Sequence, residues 1–152
     1  MNEEFVPFEL AKKLKEKGFN QKCLAYYDVE DNVGLLYNTQ YTDEALPCQY
    51  TDLLQCHNTG EAETQPDDSG FCVDAPTISQ VLKWLRDDKH IHIEFVAAAY
   101  GYNYIVSDTP EKGGTDRHCS AIKYEGPNDG GAWDEYEAAA IAGIEYCLDN
   151  LI

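Results

Sequence analysis

APTISQVLKWLRDDKHIHIEF, residues 75 to 95, switches its apolar spacing from helical to strand-like with almost no punctuation between the two. Pro76 discourages helix at Ala75. Thr77 is then placed to act as N-cap, with Gln80 three residues on to complete a capping box. Ile78, Val81, Leu82 and Leu85 follow the i, i+3, i+4, i+7 spacing of a buried helical face. Asp87, Asp88 and Lys89 end that pattern, and IHIEFVAAAY alternates with Ile91, Ile93 and Phe95 on one side. A helix feeding straight into a half-buried strand restricts the chain to folds that mix both.

The rest of the chain can be parsed around this stretch. Pro7 suits a first helical turn and Gly18 the left-handed position after a helix end, with Phe8, Leu10, Ala11 and Leu14 between them. KCLAYYD and GLLYN flank the polar pentapeptide VEDNV, which predicts a β-hairpin. Residues 39–71 read mostly as loop, with a short strand expected at Leu53 to His57 and a flexible acidic insertion near 58–71. GYNYIVSD and HCSAIKYE predict two further strands, separated by the Pro- and Gly-containing TPEKGGTDR. A last helix is expected from about Trp133 to Leu151. Its buried face would carry Tyr136, Ala140, Ile144, Cys147, Leu148 and Leu151, beside a strip of small residues at Ala139, Ala142 and Gly143.

The expected order is α-β-β-(β)-loop-α-β-β-β-α, an α+β helix–sheet sandwich with antiparallel strands. At 152 residues the chain is read as a single domain, 1–152, whose 43% hydrophobic content is ample for a core. No apolar run is long enough for a membrane helix. The start, MNEEFVPFELAKK, has acids where a secretion signal carries bases, so the expected location is cytoplasmic.

Charge narrows the partners. The net charge is −17, and five of the eleven basic residues (Lys12, Lys13, Lys15, Lys17, Lys22) fall within the first 22 positions. From Cys23 to Leu82 there is no Lys or Arg, while eleven Asp and Glu accumulate. Such a surface repels nucleic-acid phosphates and anionic membranes and favours basic partners.

Six cysteines without a CxxC are most simply reduced thiols in a cytosolic chain. His90 and His92 would share one strand face, but spacing fixes no third ligand beside them. Cys48, Cys56, His57 and Cys72 match no zinc-ribbon or zinc-finger spacing. DVEDNVG fails the calcium-loop register, and PEKGG and NDGG lack the Lys and Ser/Thr of a phosphate-binding loop. Adjacent Cys56-His57 or His118-Cys119 would point to opposite faces of a strand, which disfavours a nucleophile–base pair. No catalytic residue, metal or cofactor is therefore expected. The candidate binding residues are Trp84, placed at the edge of its helix, Tyr102 and Tyr104 in a tyrosine-rich strand, and Asp67 and Asp68 in the acidic insertion. Tyr100 and Tyr124 belong to the same tyrosine-rich region.

Three segments carry a resemblance: NEEFVPFELAKKLKEKGF, APTISQVLKWLRDDKHIHI and YEAAAIAGIEYCLDNLI. On these, the chain resembles a group of small uncharacterised proteins from gut bacteria, their phages and integrated elements. The C-terminal half is also similar to the phage α-β-α sandwich domain. Its α-β-β-β-α order resembles the double-stranded-RNA-binding domain as well. That family, however, grips phosphates with lysines at the start of the last helix, where this chain has Asp134, Glu135 and Glu137. What the resemblances imply is an accessory protein of a phage, prophage or other mobile element, with no reaction attached. The resulting expectation is a non-enzymatic protein that docks its acidic surface on a basic host or phage protein and binds no nucleic acid directly. An anti-defence or DNA-mimic role is one form of this. The alternative is a small-ligand or nucleotide-binding protein with an aromatic pocket.

Overall fold

Pro7 and Gly18 bracket the first helix as their backbone preferences require: α1 spans Phe8–Glu16, and Gly18 takes φ +88°, open to left-handed backbone without a side-chain clash. The computed structural model describes residues 4–21, 23–28, 34–37 and 72–152. Their contacts divide the chain into two compact units, 1–77 and 78–152.

In the first unit the expected hairpin forms from β1 (Ala25–Asp28) and β2 (Gly34–Tyr37), antiparallel with Asp28 opposite Gly34. The other edge of β1 pairs antiparallel with β3 (Cys72–Ala75), giving the order β2-β1-β3. The short strand expected at 53–57 and the insertion at 58–71 lie outside the described residues. β3 is not legible in the sequence: CVDA is short, and its third residue, Asp74, is a fully buried carboxylate that breaks any apolar run. Helix α1 packs over β3 and buries Leu10, Ala11 and Leu14. Tyr27 reaches back from β1, its hydroxyl donating to the Val6 carbonyl at 2.7 Å and its ring meeting Phe8 edge-on.

The second unit is the predicted α-β-β-β-α run: α2 (Ile78–Asp88), β4 (Ile91–Ala98), β5 (Gly101–Asp108), β6 (Asp116–Cys119) and α3 (Tyr136–Asn150). The strands form an antiparallel sheet in the order β4-β5-β6. Register places Ile93 opposite Val106 and Phe95 opposite Tyr104, so these side chains share one sheet face. Helices α2 and α3 pack on the sheet and on each other. The small-residue strip does what its composition suggests. A side chain at Gly143 would press Tyr104 at 3.2 Å and Ile93 at 3.3 Å, so glycine lets α3 lie close to the strands. The chain is an α+β protein with antiparallel sheets, and its element order roughly matches the expected one, with β3 added directly before α2.

Several local expectations need correction. Trp84 is buried, at 4% exposure, rather than sitting at the edge of its helix. The buried arc of α2 runs through Ile78, Val81, Trp84 and Leu85, leaving Leu82 half-buried at its margin. His90 is not in the strand with His92. It takes φ +59°, a left-handed residue in the two-residue joint between α2 and β4, and its carbonyl accepts the Thr109 N–H. The third strand of this sheet stops at Cys119, because Ser120 turns inward and opens a one-turn 3₁₀ helix, Ser120–Lys123. Helix α3 starts at Tyr136, not Trp133, because Trp133 pairs by backbone with Tyr102.

Candidate functional site

β5 delivers Tyr102 and Tyr104 to the helix-covered face of the second sheet, two residues apart as strand geometry demands. Tyr104 is buried and Tyr102 half-buried. Tyr136, at the start of α3, meets both Phe95 (4.8 Å between centroids) and Tyr102 (6.0 Å) edge-on. The tyrosine-rich face is thus largely core, with α3 over it. Asp67 and Asp68 lie outside the described residues, as do Cys48, Cys56 and His57.

The structure brings together a set that sequence spacing did not suggest. Glu125 accepts from the Tyr104 hydroxyl at 3.0 Å through one carboxylate oxygen and contacts His118 Nε2 at 2.7 Å through the other. The His118 ring stacks on Tyr146 of α3, 3.9 Å between centroids and 13° between planes. Tyr104 also lies 5.5 Å from Trp133. Two residues beyond His118, the Ser120 hydroxyl donates to Asn103 Oδ1 and accepts the Tyr104 N–H. One carboxylate and one hydroxyl therefore tie residues 118–125 to β5.

This cluster has a carboxylate orienting a histidine but no nucleophile in line with it. The Ser120 hydroxyl is buried and engaged. Cys119 neighbours His118 along a strand, where successive side chains diverge. Among the described residues no three His, Cys, Asp or Glu side chains converge as a metal site would need. The arrangement acts as a clasp, and what it clasps is the loop that follows.

That loop, 126–134, is organised by Asn128. Its side-chain oxygen accepts the N–H groups of Gly130 (3.0 Å) and Ala132 (2.9 Å), and its amide donates to the Tyr100 carbonyl (2.7 Å) and to Asp134 (3.0 Å). Backbone bonds between Tyr102 and Trp133, at 2.7 and 3.0 Å, close the other side. Above this frame Tyr100 and Tyr124 are 72% and 74% exposed, and Ile122 is 76% exposed.

Burial sets the titration of the inner groups. Tyr104 is held well above the ordinary phenol range, first by desolvation and then by the Glu125 carboxylate it donates to. Burial pushes the Cys147 thiol up to about 12. Both groups keep their protons in the folded state after the unfolded chain has begun to lose them, so stability is full below the unfolded values and falls as pH rises. The urea midpoint is expected to decline from about pH 9 towards 12, and Cys147→Ala should remove up to roughly 4 kcal/mol of that dependence. A midpoint that stays level across this window in the parent protein would contradict the assignment.

Comparison with family models, with curated proteins and with solved structures finds no match. Among the described residues no helix is long and apolar enough to cross a membrane.

The sequence missed Glu125 because nothing in YEGPNDGG marks one glutamate as a shared acceptor. Its partners lie 7 and 21 residues away in the chain. The legible signal was the Asn within a Gly- and Pro-rich break, which is turn chemistry.

Proposed function

We propose that the protein is a non-enzymatic accessory protein of a phage or mobile element that acts by binding a basic host or phage protein through its acidic surface. The observation that carries this reading is the net charge of −17, with no Lys or Arg between Cys23 and Leu82. Such a field attracts cationic partners from a distance and repels polyphosphates. Several cations outside that stretch lie against carboxylates: Lys12 against Glu9, Lys83 and Arg86 against Asp87, and Arg117 against Asp108. These exposed pairs add little stability, but they leave the anionic surplus to define the surface. A dense carboxylate array can imitate the phosphates that nucleic-acid-binding proteins recognise, which fits an anti-defence or DNA-mimic role. The mobile-element part rests on the resemblance of the three segments.

The alternative, a nucleotide pocket lined by Trp84 and the tyrosines, loses support because Trp84 and Tyr104 are both core residues. Immobilised protein exposed to host lysate at low salt should retain basic proteins that elute as salt rises. Recovery of nothing that salt releases would defeat the proposal. A thermal shift with nucleotides would favour the pocket instead.

A further inference from the structure

Single exposed aromatics are ordinary on protein surfaces and by themselves mean nothing. Tyr100 and Tyr124 differ because they converge on one dipeptide. A side chain at Gly130 would overlap the Tyr100 ring, 2.6 Å from its Cγ, and one at Gly131 would lie 2.6 Å from Tyr124 Cβ and Cδ1. Each tyrosine is thereby seated against backbone, while the residue as a whole stays about three-quarters exposed. The two come from segments 24 residues apart, the β4–β5 turn and the end of the 3₁₀ helix. Asn128 and the Glu125 clasp hold those segments to a common frame. Rings fixed in this way lose little freedom on binding, which is the property of a preformed recognition surface.

Charge around the rings selects the occupant. From Ser120 to Glu137 the chain has five carboxylates (Glu125, Asp129, Asp134, Glu135, Glu137) and one cation, Lys123. Asp129, Asp134 and Glu135 are exposed. A second copy of this chain would bring its own charge of −17 against that rim and be repelled. A nucleic acid would be repelled for the same reason. Planar guanidinium groups suit both parts of the surface, since they stack on aromatic faces and pair with carboxylates in a fork.

We infer that Tyr100 and Tyr124, on the Gly130–Gly131 seat, form the docking surface for an arginine-rich segment of a partner protein, with Asp129, Asp134 and Glu135 as its anionic rim. This rests on the acidic-surface reading and adds the place and the preferred cation.

The test uses synthetic octa-arginine and octa-lysine peptides, titrated calorimetrically into the full chain at low and at high salt. The parent protein should bind octa-arginine more tightly than octa-lysine, and high salt should weaken both. The Tyr100→Ala/Tyr124→Ala double variant should bind octa-arginine about tenfold more weakly and lose most of its preference over lysine. Tyr100→Phe/Tyr124→Phe should keep that preference, because the ring face is retained. Melting curves check that each variant is folded, and at exposed positions little change is expected. Salt-sensitive binding that is equal in the parent and the alanine variant overturns the tyrosine surface while leaving the acidic-surface reading intact. Failure of both peptides to bind at low salt overturns both. Self-association of the parent protein that is lost in the alanine variant would assign the surface to a second copy and overturn the inference.

Discussion

Replacing Gly101 with alanine is expected to lower the unfolding free energy by roughly 3–5 kcal/mol, read as a fall in the urea midpoint. Two costs combine. Gly101 sits at φ +137°, a region that residues with a side chain avoid. An added Cβ would also collide with the Trp133 carbonyl and come within 3.2 Å of Asn128 Nδ2. That carbonyl accepts the Tyr102 N–H, so relieving the collision means breaking the pairing that docks the 126–134 loop on the β4–β5 hairpin. Gly18→Ala separates the two contributions. Its φ of +88° imposes backbone strain, but nothing lies within 4 Å of the added atom, so about 1 kcal/mol is expected. Equal losses at the two glycines would mean that the Trp133 collision does not matter and that the loop is not anchored there.

The second large effect concerns Trp84. Trp84→Ala should cost roughly 3–5 kcal/mol, because it empties a core position that is only 4% exposed. The Lys89 ammonium lies 5.3 Å from the ring centroid. A cation–π contact from a half-buried lysine is worth roughly 1 kcal/mol, well below the loss of the buried ring, so Lys89→Ala should change stability little by comparison. Packing, not the cation, decides the outcome. Any loss of partner binding in Trp84→Ala is therefore expected to follow unfolding, visible as a shifted melting curve, and not to mark a contact residue. A variant that melts like the parent but fails to bind would reverse this and return Trp84 to the surface.

Trp84 also shows where local pattern stops being informative. The spacing of Ile78, Val81 and Leu85 correctly marks a helix with a buried face, but Leu82 and Trp84 lie on opposite flanks of that face. Which flank turns inward depends on what packs against the helix, and a one-dimensional period does not contain that. His90 and His92 illustrate the same limit. Their i, i+2 spacing implied a shared strand face only if both residues were in the strand, and the tight α2–β4 joint takes His90 out of it. The tyrosines divide similarly. Strand parity put Tyr102 and Tyr104 together, and cross-strand register with Ala97 and Phe95, together with the seating of Gly143 against Tyr104, then decided that Tyr104 faces α3.

Two helical ends, a hairpin, the helix-to-strand switch at residues 88 to 91 and the overall α+β order were written in the chain itself. Each follows from backbone preferences and apolar periods that act over a few neighbouring residues. The anionic character is likewise a property of composition. Tertiary structure alone decided that Glu125 clasps Tyr104 and His118, that Asn128 ties the loop to Tyr100, and that Trp84 is core. Those contacts join residues up to 28 positions apart. They exist only once the sheet register and the seating of α3 have brought those residues within hydrogen-bonding and van der Waals range, and no local spacing rule encodes that approach.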